Sequence, residues 1–132
     1  MAFLTGYVVF LIVFGLMDFV WLSITVPKLY LPVLGDSAST TVRLVPAIVF
    51  YLFYAVGAVF FGALPGLSSG PRTAFLCGLF FGAVAYGTYD LTNYATLRNW
   101  SLALTVVDMS WGSLATGVAC LAAYFAMNHF SA

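Results

Sequence analysis

The sequence predicts an all-α membrane protein, a bundle of four transmembrane helices in a single domain covering residues 1–132. Of its 132 residues, 64% are apolar and only 6% are charged, whereas soluble domains carry about 25% charged residues. Four stretches are mostly apolar over about 20 residues, the length at which a helix crosses a bilayer. The polar connections between these stretches leave too little chain for a second domain.

Prolines and short polar turns set the predicted helix boundaries. Pro27 is expected to end the first helix and Pro65 the second, because proline lacks the N–H that continues a helix. The turns PGLSSGPR and RNW join the second helix to the third and the third to the fourth. The first segment has no basic start, so we expect a permanent helix rather than a cleaved signal peptide. The predicted helices cover residues 3–26, 46–64, 73–97 and 101–128.

The connection between the first and second helices is longer than the other two. Its front half, KLYLPVL, is apolar enough to lie in the membrane interface. Its back half, GDSAST, has the composition of a mobile polar loop.

Small residues predict where the third and fourth helices touch. Gly78 and Gly82 are four residues apart on the third helix. On the fourth helix, Gly112 precedes Thr116 and Ser113 precedes Gly117 at the same spacing. Such pairs let membrane helices approach closely, so we interpret them as packing contacts rather than chemistry.

Three of the four acidic residues are predicted at one depth of the bundle. Asp18 lies late in the first helix, Asp90 late in the third and Asp108 early in the fourth, each seven or eight residues from a helix end. Because the fourth helix runs opposite to the other two, all three lie about 10–12 Å inside the same membrane face. A charge at membrane depth is costly, and such residues commonly face the bundle interior and mark function.

Polar and aromatic side chains accompany each acid on its own helix face, three or four positions away. The sequence thus predicts a ligand, proton or ion site on these helices. Arg98, Lys28 and Arg43 are at the same membrane face and are the predicted counter-charges. The candidate site residues are Asp18, Trp21, Tyr86, Asp90, Asn93, Tyr94, Thr105, Asp108 and Trp111.

A purely structural interpretation stays open. Membrane bundles also use a buried aspartate, hydrogen-bonded to Tyr, Asn or Thr, to hold helices together. Trp100 is expected to be an interfacial belt residue. Cys77, Cys120 and His129 have no ligand partners at metal-binding spacing, so we expect no metal and no cofactor.

The stretch YGTYDLTNYATLRNW, followed by LTVVDMSWG, resembles the signature of DUF2177, a family of bacterial membrane proteins. The DFVW of the first helix and the FYLFYAVGAVFF run of the second share this resemblance. The resemblance implies a small four-helix protein of the bacterial inner membrane that works alongside fatty-acid-modifying enzymes. It also adds Tyr89 to the candidate site. The family motif falls on Tyr89, Asp90, Thr92, Asn93, Thr96, Asp108, Trp111 and Gly112.

Three functions are compatible with these features. The first is a small carrier or binding protein for an ion, small molecule or lipid-like ligand, with protonatable acids, working as a homodimer. The second is a membrane-embedded enzyme or enzyme subunit that modifies lipid or fatty acids, with Asp and Tyr as proton donors and acceptors. The third is an assembly subunit. Expected partners are membrane lipid, a second copy and a lipid-modifying enzyme; with zero net charge, nucleic acid is not expected.

Charge bias predicts the orientation in the membrane. Lys28, Arg43 and Arg98 lie on the side of the three acids, and Arg72 lies on the opposite side. Because Lys and Arg in short loops are retained in the cytoplasm, the acids are expected near the cytoplasmic face and both termini outside.

Overall fold

Four long helices form the protein, as the computed structural model shows over residues 2–35 and 43–131. All four are long and apolar enough to cross a membrane, which confirms the predicted all-α fold class. They are called the first to fourth spans below. The spans cover Ala2–Lys28, Leu44–Ser69, Pro71–Thr96 and Leu102–Phe130.

Two of the predicted helix ends are wrong. The first helix, Ala2–Thr25, continues beyond Pro27 as a π-helical turn, Val26–Tyr30, and a short helix, Leu31–Leu34. Within the second span, Leu44–Ala58 is followed by π-helical and α-helical segments that carry the chain past Pro65. These segments are Val59–Ala63 and Leu64–Ser69.

The local hydrogen-bond pattern explains why neither proline ends its helix. Pro27 lies within a π-helical turn and Pro65 lies two residues after one. A π-helical turn shifts the backbone bonds from i→i+4 to i→i+5, so the regular ladder is already disturbed where proline lacks its N–H. The second span ends instead at Gly70, whose φ of 102° is readily adopted only by glycine. The third helix starts at the next residue.

The first connection is only partly described. The front half of this connection, predicted to lie in the interface, is helical through Leu34. Of the predicted polar loop GDSAST, only Gly35 belongs to the described residues, so the interpretation of residues 36–42 as a loop lies outside them.

The predicted small-residue pairs do pack the third span against the fourth. A Cβ atom added at Gly82 would lie 2.6 Å from the carbonyl oxygen of Gly112, and one added at Gly78 would lie 2.9 Å from the Cα of Gly117. Across the same interface, the Ser113 hydroxyl donates a 2.7 Å hydrogen bond to the Leu79 carbonyl. These two spans share the most extensive helix–helix interface of the described protein.

The second span is attached mainly through its second half. The hydroxyls of Tyr54 and Thr116 share a 2.6 Å hydrogen bond. One turn further, the Cys120 thiol donates to the Ala58 carbonyl at 3.3 Å. Before Ala58, by contrast, the backbones of the second and third spans are further apart, although the Tyr54 ring still stacks on Phe81. The half of the second span near the predicted acids therefore stands apart from its neighbour.

We predict that Gly82→Ala lowers the free energy of unfolding by about 1–3 kcal/mol, because the added methyl must push the Gly112 carbonyl away. Gly15→Ala is the matched control, since a methyl at Gly15 meets no atom within 4 Å. The control should be neutral or up to about 1 kcal/mol more stable, as glycine disfavours a helix. Unfolding in mixed detergent micelles, followed by circular dichroism, measures both. Equal effects of the two substitutions would contradict the packing account.

Candidate functional site

Three carboxyl groups from three different spans are buried at one end of the bundle. The exposed fractions of Asp18, Asp90 and Asp108 are 6%, 0% and 3%. They are called the acid layer below. Such burial is costly for aspartate, which is almost never fully buried unless it is paired. The surroundings of each carboxyl group therefore decide what the layer can do.

Asp18 has protein donors. The hydroxyl of Tyr51, on the second span, donates a hydrogen bond to Asp18 Oδ2. The Trp111 indole nitrogen lies near the same carboxyl group, although it makes no hydrogen bond of standard geometry with a described residue. Trp111 stacks on Trp21 with ring centroids 4.6 Å apart. Asp18 is thus held between the first, second and fourth spans.

Asp90 and Asp108 face each other across the close interface of the third and fourth spans. Asp108 is the nearest charged neighbour of the Asp90 carboxyl group. Neither carboxyl oxygen of Asp90, however, makes a standard hydrogen bond with any residue that the structure describes. Two carboxyl groups this close repel each other when both are ionised. Asp90 is thus a fully buried acid whose closest charged group is another acid.

A cavity of about 600 Å³ opens beside the acid layer. Its size is within the range of small-molecule sites, about 300–1,000 Å³. Asp18 and Asp108 contribute its carboxyl groups, and the remaining walls are aliphatic and aromatic. The lining comes from all four spans and from the segment after the first: Asp18, Trp21, Leu22, Val26, Leu31, Pro46, Ala47, Phe50, Tyr51, Ala85, Tyr86, Tyr89 and Asp108.

The apolar part of the cavity is open to the surroundings of the bundle. Leu22, Leu31 and Phe50 line it and are 38%, 45% and 48% exposed. Asp18 and Asp108, in contrast, are buried. The cavity therefore has a closed polar end and an open apolar side, a division that suits an amphiphilic occupant.

The lack of a side chain at Gly112 leaves space for the ring of Tyr86 in the cavity wall. A Cβ atom at this position would collide with the ring of Tyr86, which lines the cavity. The same glycine lies opposite Gly82 in the helix interface. The close approach of the third and fourth spans and the shape of the cavity thus depend on the same residue.

The structure distributes the predicted site residues unevenly. Asp18, Trp21, Tyr86, Tyr89 and Asp108 line the cavity. Asp90 and Trp111 do not line it, but each is next to a residue that does, Asp108 and Trp21 respectively. Asn93 is half-buried and Tyr94 is 45% exposed; neither lines the cavity. Thr105 is buried, but its hydroxyl donates to the Ser101 carbonyl of its own helix at 2.8 Å. The predicted counter-charges Lys28, Arg43 and Arg98 are exposed, and none lines the cavity.

Sequence reasoning missed the contribution of the second span. Tyr51 completes the surroundings of Asp18, while Pro46, Ala47 and Phe50 form one side of the cavity. The second span carries no acid, so an argument from the depth of acids passed over it. Counting residues would have indicated Tyr51 as a site residue. It lies seven residues after the helix start at Leu44, which places it at about the same membrane depth as the acids.

Fold and site together define a multi-pass integral membrane protein whose four helices enclose an acid-ended cavity. The chain belongs to the DUF2177 family, described as "Predicted membrane protein", which it matches over residues 3–125. No curated protein and no solved structure matches the chain.

We predict that Tyr51→Phe lowers the free energy of unfolding by about 1–3 kcal/mol, because it leaves the buried Asp18 carboxyl group without its hydroxyl donor. Tyr7→Phe is the matched control, as it removes an exposed hydroxyl that donates to the Leu52 carbonyl. The control should cost less than about 1 kcal/mol. In a double-mutant cycle, Tyr51→Phe should cost less once Asp18→Asn is present. Additive effects would show that the two groups do not interact.

Proposed function

We propose that the protein binds a small amphiphilic molecule in the cavity, with the polar group of the ligand at Asp18 and Asp108. The observation that carries this proposal is the cavity of about 600 Å³, which combines apolar walls with two carboxyl groups at its closed end. Ligand sites commonly have this composition, since apolar walls supply contact area and a few polar groups fix orientation. Binding or transport of a lipid-like ligand accounts for these features.

The ligand is proposed to enter from the lipid phase. Phe50 and Leu22 line the cavity and are also exposed on the apolar exterior. The cavity forms a gap between the helix Leu44–Ala58 and the third span, lined by Phe50 on one side and by Tyr89 on the other. An amphiphile already dissolved in the membrane can reach the carboxyl groups through this gap without crossing the polar face of the protein.

The proposed setting follows the family resemblance and the charge bias. We place the protein in the inner membrane of a bacterium, with the acid layer toward the cytoplasm, in contact with membrane lipid. A homodimer is the proposed working unit, because one chain of 132 residues offers few surfaces for moving a ligand across a membrane. A lipid-modifying enzyme as partner, or turnover of lipid by the chain itself, would instead support the alternative of an enzyme or its subunit. A stoichiometric protein partner without bound amphiphile would support the assembly function.

Binding is tested with single-chain amphiphiles that share a dodecyl tail: dodecyltrimethylammonium, dodecanol and dodecanoate. We predict that at least one of them changes the tryptophan fluorescence of the protein saturably in phosphatidylcholine bilayers, because Trp21 lines the cavity. Ala47→Phe should abolish the change, since the ring fills the cavity from the second span.

Val49→Phe is the matched control for this substitution. Val49 is two residues from Ala47, is 45% exposed and does not line the cavity. It should therefore bind like the unmodified protein. A response that is equal in both variants would come from the lipid-facing surface, and the proposed function would then fail.

Orientation is tested by cysteine labelling at two exposed positions, Asn99 near the acid layer and Ser68 at the other end. We predict that an impermeant maleimide labels Ser68→Cys but not Asn99→Cys in intact cells. Positive charges at Lys28, Arg43 and Arg98 underlie this expectation. The unmodified protein, with Cys77 half-buried and Cys120 buried, gives the background labelling. Labelling of Asn99→Cys alone would reverse the assignment.

A further inference from the structure

We propose that the ligand is a hydrophobic monovalent cation and that its binding releases one proton from the acid layer. This inference rests on the proposed function, because it names the chemical class of the molecule that the cavity binds. The geometry points to it through three features: a buried acid that faces another acid, the position of that second acid on the cavity wall, and an aromatic lining.

The first feature is Asp90. Its side chain is fully buried, and the group that its carboxyl oxygens face is another carboxyl group, that of Asp108. An isolated ionised carboxyl group is not sustained in such surroundings, and a buried charge without a partner is neutralised by taking up a proton. Proximity to Asp108 adds to this effect, since a second negative charge disfavours ionisation. Asp90 therefore holds a proton when the cavity is empty.

The second feature is the position of Asp108. Its carboxyl group borders Asp90 on one side and lines the cavity on the other. A positive charge placed in the cavity consequently acts on both carboxyl groups of the pair. Asp18 also lines the cavity, so the cation would lie near two carboxyl groups that come from different spans.

The third feature is the remaining lining. Trp21, Tyr86 and Tyr89 present aromatic rings beside the acids. The faces of such rings attract cations, including quaternary ammonium groups, most strongly where water is excluded. No lysine, arginine or histidine is among the described residues that line the cavity. The titratable groups that face or border this end are Asp18, Tyr51, Tyr86, Tyr89, Asp90 and Asp108, and the exposed cations at the same membrane face are Lys28, Arg43 and Arg98.

These features define a charge-balanced exchange. One cation enters the cavity, the O–H bond of the protonated carboxyl group breaks, and one proton leaves to water. The total charge of the acid layer and its ligand is therefore the same before and after the cation replaces the proton. A neutral amphiphile would bind without releasing a proton, and an anion would be repelled by the ionised carboxyl groups.

The exchange predicts a pH dependence with a defined sign. Protons and the cation compete for the same carboxyl groups, so the cation binds more tightly as pH rises. In the range where the pair is protonated, the Kd of dodecyltrimethylammonium should fall about tenfold per pH unit. Tryptophan fluorescence in phosphatidylcholine bilayers measures the Kd. A pH dye in weakly buffered solution should record one proton released per cation bound.

Two substitutions separate the roles of the pair. Asp108→Asn removes a carboxyl group that lines the cavity and should weaken cation binding at least about tenfold. Asp90→Asn removes one carboxyl group of the pair and keeps the one that lines the cavity, so the cation should still bind while proton release and the pH slope are lost. Asp36→Asn, at the remaining acidic residue of the sequence, is the charge-matched control and should keep both properties.

The results distinguish this inference from the proposed function. Tight binding of dodecanol or dodecanoate, together with binding of the cation that is independent of pH and releases no proton, would overturn the inference and leave the proposed function intact. If none of the three amphiphiles binds saturably to the unmodified protein, both fail. Because the pH slope and proton release are measured on the unmodified protein, the decision stands even where a variant does not fold.

Discussion

The close contact between the third and fourth spans is the constraint on which the rest of the structure depends. Lipid tails are as apolar as the helix surfaces, so packing and interhelical hydrogen bonds must hold the spans together. Gly82 and Gly112 provide that packing by allowing the two backbones to approach closely. The same approach brings Asp90 next to Asp108. Helix association and the pairing of two acids thus have one cause.

The cavity arises because the backbones of the second and third spans pack closely over only part of their length. The hydrogen bonds of Tyr54 and the Ala58 carbonyl fix its middle to the fourth span. The π-helical segment Val59–Ala63 then packs closely against the third and fourth spans. The helix before Ala58 lacks comparable contacts to the third span, and the space it leaves is lined by Tyr51 and Phe50. A span that packed evenly over its length would fill this space.

The sequence allowed the fold class and the burial of the acids to be predicted for simple reasons. Hydropathy defines the spans, and counting residues from helix ends gives the depth of an aspartate. The rule that proline ends a helix predicted the helix boundaries less reliably. Pro27 and Pro65 were expected to end helices, but each lies at a π-helical turn, a feature that the spacing of apolar residues does not reveal.

The neighbours of the acids were harder to predict than their depth. Tyr51 was missed because its partner, Asp18, is 33 positions away in the sequence and no local spacing connects them. Tyr94 was included because it is four residues from Asp90, yet the third span turns it away from the cavity. Spacing along one helix shows which residues share a face. It does not show which helix that face meets.

The two interpretations of the acids, structural pins or a ligand site, make different demands on their surroundings. A structural pin gains its stability from hydrogen bonds inside the bundle, and Asp18, with the Tyr51 hydroxyl, meets that demand. Asp90 meets it only in part, because its carboxyl group faces another carboxyl group, Asp108, and a hydrogen bond between the two requires a proton. A buried polar group without partners costs about 1–3 kcal/mol, and more when it is charged. The bond that would join Asp90 to Asp108 thus requires a proton from outside the bundle, which helix packing alone does not supply.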